Sequence, residues 1–184
     1  MKEYSQIRKI AMIALLLASA SLVAQTATGT INATLVNKSA ISLIFDSDPG
    51  GVTLGGNGSS TASVNLGTIS AFGPLAPGVT RPTVTASNYT VRTLFDVQVI
   101  QGGVASPNYT LSAQLAAVAP TGFTYAVDAV TLTTAVQTIQ ANGAYNTDVR
   151  HALNLTVSTA APGAGGPAVG TPLTTTINFT ATSN

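Results

Sequence analysis

A regular alternation of apolar and polar residues runs through most of this 184-residue chain and constrains its fold more than any other feature. It is clearest within residues 87–115, where Tyr89, Val91, Phe95 and Val97 stand at alternate positions. Successive side chains of a β-strand point to opposite faces, so this period places the apolar residues on one face of a sheet. No comparable helical period occurs, and the sequence therefore predicts an all-β fold.

The spacing of the alternating segments predicts the architecture. Further segments begin near Thr30, Ile41, Ala62, Val149 and Leu173, and loops rich in glycine and proline separate several of them. About nine or ten strands in roughly 160 residues indicate a single antiparallel β-sandwich. We assign this sandwich to residues 37–184, with a jelly roll or a closed barrel as the alternative.

Residues 87–115 contain two of these alternating segments. A turn over residues 101–107, with Gly102 and Gly103, joins them. Two long strands linked by a short glycine-containing loop are typical of a hairpin. We therefore expect the two strands to pair with each other.

The first 24 residues have the pattern of a signal peptide. Three cations within residues 1–9 precede an apolar run over residues 10–23, which is too short for a comfortable membrane span. Small residues favour cleavage after Ala24, or otherwise after Ala20. No second long apolar segment follows, so we expect an exported protein whose mature form does not span a membrane.

The charges beyond the leader are few and nearly balanced. Only 7% of all residues are charged, far below the roughly 25% of ordinary soluble domains. After residue 24 the net charge is −1, from four cations and five acids: Lys38, Arg81, Arg92, Arg150, Asp46, Asp48, Asp96, Asp128 and Asp148. Nucleic acid is therefore not expected as a partner, and weak mutual repulsion favours self-association.

Seven Asn-x-Ser/Thr triplets occur, and each has the form of a glycosylation acceptor. In five of them the middle residue is apolar: Ala33, Tyr89, Tyr109, Leu155 and Phe179. A strand with one polar and one apolar face produces such triplets automatically. We interpret them as polar strand faces, and the sequence leaves open whether any of them carries sugar.

No set of residues typical of an enzyme is present. His151, the only histidine, is in phase with Val149 and Leu153, which predicts a core position. Asp46 and Asp48 precede a glycine turn and are interpreted as a solvated turn rather than a calcium site. The chain lacks cysteine, and beyond the leader it lacks glutamate. We expect no catalytic residues, no metal and no cofactor.

The N-terminal segment 25–36 is a further alternating strand. Its residues 28–36 contain neither a charge nor a proline, although natural monomers usually protect an exposed sheet edge with one of these. An exposed strand of this kind can pair within its own sheet or with another subunit.

The leader, this strand, a sandwich rich in Thr, Ala, Gly and Val, and a last alternating strand together resemble bacterial pilins of the chaperone–usher type. The cysteine-free group that includes colonisation-factor fimbriae is the most similar, and secreted biofilm-matrix fibre subunits share the same layout. The resemblance implies an Ig-like fold that is completed by the N-terminal extension of a neighbouring subunit. The inserted residues would be Ile31, Ala33 and Leu35, and an assembly chaperone would be a further partner.

These observations predict a non-enzymatic structural subunit of an extracellular fibre or pilus. Its main partners would be copies of itself, and its location would be the cell surface, an extracellular fibre or the periplasm. The alternative is a monomeric secreted binding module for carbohydrate or for a surface partner.

Overall fold

The structure of the protein is a computed structural model that describes residues 40–160, residue 166 and residues 173–184. The predicted leader and the predicted N-terminal strand, with Ile31, Ala33 and Leu35, lie outside the described residues. The described part belongs to a unit that spans Asn37–Asn184.

The described residues form nine β-strands: β1 (Ala40–Asp46), β2 (Thr80–Val84), β3 (Asn88–Gly102), β4 (Asn108–Leu115), β5 (Phe123–Val127), β6 (Val130–Thr131), β7 (Gln137–Ala144), β8 (Asp148–Ser158) and β9 (Ile177–Ser183). They contain no helix, and therefore no helix long and apolar enough to cross a membrane. The prediction of an all-β chain is confirmed.

The strands form two antiparallel sheets. The larger, called here the main sheet, has the order β1-β3-β8-β5-β6, and β2 also pairs with β3. Strand β1 pairs with residues 96–102 of β3, whereas β2 pairs with residues 89–92 of the same strand. The other sheet, called here the small sheet, has the order β7-β4-β9.

The apolar faces of the two sheets pack against each other, as in a β-sandwich. In β3, Val91, Val97 and Val99 are completely buried, while Arg92 between them is exposed. The buried core draws on both sheets and on loops between the strands: Val52, Leu54, Val79, Tyr89, Val91, Phe95, Val97, Val99, Tyr109, Leu111, Ala113, Leu115, Tyr125, Val127, Leu132, Tyr145, Leu155 and Val157. The predicted division of these strands into an inner and an outer face is confirmed.

The predicted hairpin within residues 87–115 is wrong. Strand β3 pairs with β1, β2 and β8, whereas β4 pairs with β7 and β9. The connection at residues 103–107 carries the chain from one sheet to the other. Each strand has a single apolar face. That face is buried equally well whether the two strands lie in opposite sheets or pair within one sheet. The alternation therefore did not distinguish these two arrangements.

The predicted strand at Ala62, Val64 and Leu66 is present only as an extended segment. These three side chains are half-buried and pack against the core, while Ser63 and Asn65 are exposed. The segment makes one isolated bridge, in which Ser63 and Gly55 exchange hydrogen bonds of 2.8 and 3.0 Å. Its alternation is thus that of a strand that has found almost no partner among the described residues.

Two loops are tied to the inner face of β3 by a buried threonine. The Thr93 hydroxyl accepts a hydrogen bond from the Val52 N–H at 2.9 Å and donates to the Gly78 carbonyl at 3.0 Å. Thr93 is 1% exposed, so this hydroxyl satisfies two main-chain groups that water cannot reach. Val52 and Val79 are thereby held in the core.

Candidate functional site

A large apolar groove opens between the two sheets. It has a volume of about 1500 Å³, far more than the voids of a normally packed core. Both sheets contribute to it, with Phe45 of β1, Tyr125 of β5, Leu155 of β8 and Phe179 of β9 among the lining residues. The groove is the main departure of this fold from a closed sandwich.

Three phenylalanines from three strands meet in this groove. Phe45 and Phe179 contact edge to face with ring centroids 5.3 Å apart, and Phe95 lies 5.9 Å from Phe179. Phe45 and Phe95 belong to the main sheet and Phe179 to the small sheet, so the cluster joins the two sheets. Such aromatic pairs add roughly 0.5–1.5 kcal/mol beyond area burial and hold this part of the groove in a fixed shape.

One wall of the groove is strand β9, which has an unpaired edge. The Thr176 carbonyl and the Asn184 N–H both form hydrogen bonds on the β4 side. Main-chain groups of alternate residues point to opposite edges of a strand, so those of Ile177, Phe179 and Ala181 point away from β4. No strand within the described residues pairs with that second edge. It presents a row of donors and acceptors that a further strand can use.

The lining of the groove also includes the extended segment 60–69. Its side chains Ala62, Val64 and Leu66 face the core cluster, and the whole segment lines the groove. The main-chain groups of Val64 and Leu66 form no hydrogen bond with other described residues. The groove is therefore bordered by two extended stretches with main-chain groups that have no hydrogen-bond partner among the described residues.

The groove is electrically neutral. None of its described lining residues carries a formal charge at neutral pH. Burial raises the pKa of the Tyr125 phenol above its ordinary value, and the nearby Thr175 opposes this rise. The Tyr125 hydroxyl lies near Thr175 but forms no hydrogen bond of normal geometry with a described residue. The site consequently favours a neutral, largely apolar occupant.

His151 occupies the core position that the sequence predicts. It is 3% exposed, and its ring centroid lies 5.8 Å from that of Phe95. Nδ1 is 2.8 Å from a carboxylate oxygen of Asp128, whose other oxygen accepts the Ala152 N–H at 2.8 Å. Nε2 is buried without a hydrogen-bond partner among the described residues.

The turn after β1 is present, but its second aspartate is not solvated. Asp48 is 2% exposed, accepts the Gly50 N–H at 2.7 Å and pairs with the Arg150 guanidinium. Asp46, Asp96 and Arg150 lie side by side on three neighbouring strands. Among the described residues, no group of three or more His, Asp or Glu side chains is arranged to hold a metal ion. The expected solvated turn is therefore replaced by a buried Asp48 carboxylate that pairs with the exposed side chain of Arg150.

Replacing Asp96 by Asn is expected to stabilise the protein at neutral pH. Burial raises the pKa of Asp96 above the ordinary 3.8, Asp48 adds to this rise, Arg150 opposes it, and Asp148 and Asp46 add further. The folded state thus holds the proton more tightly than the unfolded chain. The stability that this proton contributes is fully present below the ordinary pKa of 3.8. It is lost as the pH rises through the higher pKa that Asp96 has in the folded protein.

Denaturation by urea at neutral pH is expected to show a gain of up to about 0.5 kcal/mol for Asp96→Asn. The same measurement near the ordinary aspartate pKa of about 3.9 should show a smaller difference between variant and wild type. An equal gain at both pH values would contradict the electrostatic origin.

The Asn-x-Thr triplets in the described strands have the predicted geometry. Their middle residues Tyr89, Tyr109 and Leu155 are 8%, 0% and 3% exposed, and Phe179 is half-buried. Asn154 is itself 7% exposed, with its amide nitrogen donating to the Asp128 carbonyl at 2.9 Å. These triplets thus lie on strands with one inner and one outer face.

Sequence reasoning did not find the groove, although one signal pointed to it. The alternation at residues 62–66 is that of a strand, and the glycines and prolines around it leave little room for a sheet partner nearby. Among the described residues this strand-like segment has only the bridge to Gly55, which indicates an incomplete sheet. The predicted assembly residues Ile31, Ala33 and Leu35 lie outside the described residues and are not located relative to the groove.

Comparison of the sequence with protein-family models and with curated proteins finds no match.

Proposed function

We propose that the protein is a non-enzymatic structural subunit of an extracellular fibre or pilus. In this proposal the N-terminal strand of one copy, residues 25–36, enters the groove of the next copy and adds a strand to its sandwich. The groove, whose lining includes the β9 edge and the extended segment 60–69 that pair with no strand within the described residues, is the observation that carries the proposal. The sandwich would then be of the Ig-like, pilin-like type, with one strand supplied by a neighbour.

The chemistry of the segment fits that of the groove. Ile31, Ala33 and Leu35 stand at alternate positions, so all three face one side of an extended strand. Thr30, Asn32 and Thr34 on its other face are polar and uncharged. The segment would bring an apolar row to an apolar groove and a neutral polar row to solvent.

Strand addition would use two kinds of interaction. Complete burial of Ile31 and Leu35 contributes about 1.5–3 kcal/mol for each side chain. Main-chain hydrogen bonds to the open edge of β9 contribute about 1 kcal/mol each. Side-chain burial fixes which face of the strand points inward, and a slip by one residue would turn all three apolar side chains outward.

The proposal places assembly outside the inner membrane. Residues 1–24 would direct export and be removed, which leaves the donor strand at the new N-terminus. An assembly chaperone could cover the groove of a subunit before its neighbour arrives, since an open apolar groove with free edges invites aggregation. Copies of the same chain would be the final partners.

Deletion of residues 25–36 tests the proposal. The shortened protein is expected to fold, to remain monomeric and to form no fibres, because its groove is intact but it has no strand to donate. Negative-stain electron microscopy and light scattering of the purified protein measure this. A synthetic peptide of residues 28–36 should bind the shortened protein and raise its unfolding temperature. A peptide with Ile31 and Leu35 both replaced by Asp is the matched control.

Fibres that form normally without residues 25–36 would exclude this mechanism. A wild-type protein that stays monomeric at all concentrations would favour the second candidate, a secreted binding module for carbohydrate or for a surface partner. The neutral groove and its buried Tyr125 hydroxyl favour that candidate, since polar groups placed in a mostly apolar cavity are a common feature of ligand sites.

A further inference from the structure

The charged side chains of the described residues all belong to one side of the fold. They lie on strands of the main sheet or in the loops that directly follow them: Asp46, Asp48, Arg81, Arg92, Asp96, Asp128, Asp148 and Arg150. The three strands of the small sheet contain no charged residue. Two sheets of one sandwich thus present very different outer surfaces.

The outer face of the small sheet is built of hydroxyl and amide groups. On the neighbouring strands β4 and β9, Thr110 pairs with Thr182, Ser112 with Thr180, and Gln114 with Asn178. The β9 members of these pairs are exposed, and the β4 members are half-buried between their neighbours. We call these six residues the neutral face.

We propose that the neutral face is the surface through which two fibres of this protein associate side by side, an inference that rests on the proposed fibre. Hydroxyls and primary amides each donate and accept hydrogen bonds, so such a face is complementary to a second copy of itself. A two-fold contact brings the same patch of both copies together, and a patch without charge meets no repulsion there.

The outer face of the main sheet does not suit this contact. Asp46, Asp96 and Arg150 form a row across β1, β3 and β8, with Asp148 near them. The guanidinium of Arg150 already pairs with Asp48, so two copies facing each other through this row would bring an excess of negative charge together. The main sheet therefore keeps fibres apart on its side and leaves the small sheet as the contact surface.

The size of the neutral face explains why fibres rather than free subunits would associate. The neutral face lies on two strands of seven or eight residues, which cover only about 250 Å² of flat surface. A stable protein contact usually buries roughly 800 Å² on each partner. A single pair of subunits is thus expected to associate weakly. Two fibres make a row of such contacts at once, and this multivalency makes their association much stronger than that of two single subunits.

Electron microscopy of wild-type and variant fibres tests the inference. Wild-type fibres are expected to lie in bundles that persist from about 0.01 M to about 1 M salt, because no charge contributes to the contact. The double variant Thr180→Lys with Thr182→Lys is expected to form fibres of normal length, with bundles reduced by about tenfold or more. The matched control, Thr83→Lys with Thr124→Lys, places two lysines on exposed positions of the main sheet and should bundle like wild type.

A charge-reversal experiment identifies the occupant of the face. Fibres carrying Thr180→Asp and Thr182→Asp are expected to remain single alone, yet to form mixed bundles with the lysine variant at low salt. Mixed bundles that fail to form would overturn the inference. Wild-type fibres that stay single and co-sediment with a neutral glucan, with loss of this binding in the lysine variant, would assign the face to carbohydrate and also overturn it. The absence of any wild-type fibre would instead overturn the proposed function.

Discussion

Replacing Val64 by Asp is expected to abolish fibre growth while leaving a folded subunit. Val64 lies on the extended segment that borders the groove, and its side chain is half-buried rather than part of the fully buried core. A carboxylate there would be desolvated by an incoming strand with no cation in the groove to pair with it. We expect subunit association to weaken by about 3 kcal/mol or more, which is over a hundredfold.

The neighbouring Asn65→Asp variant is the matched control for this experiment. It adds the same charge one position along the segment. Asn65 also borders the groove, but its side chain is exposed, so a carboxylate there keeps its contact with water. Fibre mass after sedimentation should match wild type for Asn65→Asp and fall to background for Val64→Asp. Far-UV circular dichroism establishes that both variants are folded. Equal fibre yields from the two variants would show that the groove does not receive a strand.

The secondary structure could be predicted because it depends on information within each strand. Tyr89 to Val99 alternate so regularly that one face of β3 had to be apolar, and this face is buried. The core position of His151 follows from the same local phase. A period of two in the apolar residues of one strand predicts which of its faces is buried, whatever the rest of the chain does.

The pairing of strands could not be predicted in the same way. The hairpin expected for β3 and β4 is absent because β3 instead pairs with β8, with Val91 opposite Leu155. The alternation in β4 and the alternation in β8 are equally suitable for a strand beside β3. Which of the two pairs with β3 depends on packing between segments far apart in sequence, and no local pattern predicts it.

The site could be predicted only in part for a related reason. The pair of Asp48 and Arg150 joins residues 102 positions apart, so the sequence indicated a solvated turn where the fold buries the Asp48 carboxylate against an exposed arginine. The groove likewise exists only once Phe45 and Phe179 from two sheets come together. The predicted donor strand was deduced from its unprotected edge, whereas the groove proposed to receive it had no comparable local pattern.

Replacing Gly78 by Ala is expected to destabilise the fold by about 3–5 kcal/mol. Gly78 has φ 78°, a conformation that costs alanine energy. A methyl group on it would also overlap the carbonyl of Gly51 and approach the nitrogen of Val52 to 2.6 Å. These are main-chain atoms held by the buried hydroxyl of Thr93, so they cannot move aside without breaking its two hydrogen bonds.

Gly58→Ala separates the two parts of this effect. Gly58 has φ 77°, almost the same as Gly78, but its nearest neighbour to a new methyl group is an Asp46 carboxylate oxygen at 4.0 Å. Only the backbone strain applies there, and we expect a loss of about 1–2 kcal/mol. Urea denaturation gives the free energy of unfolding of both variants. The difference between the two losses measures the contribution of the close contact between the two loops.

If both variants lost the same free energy of unfolding, the contact of Gly51 with Gly78 would contribute nothing to stability. The groove is lined by Leu54 from the first of these loops, so a large difference would also mean that one wall of the groove is held in place by this contact.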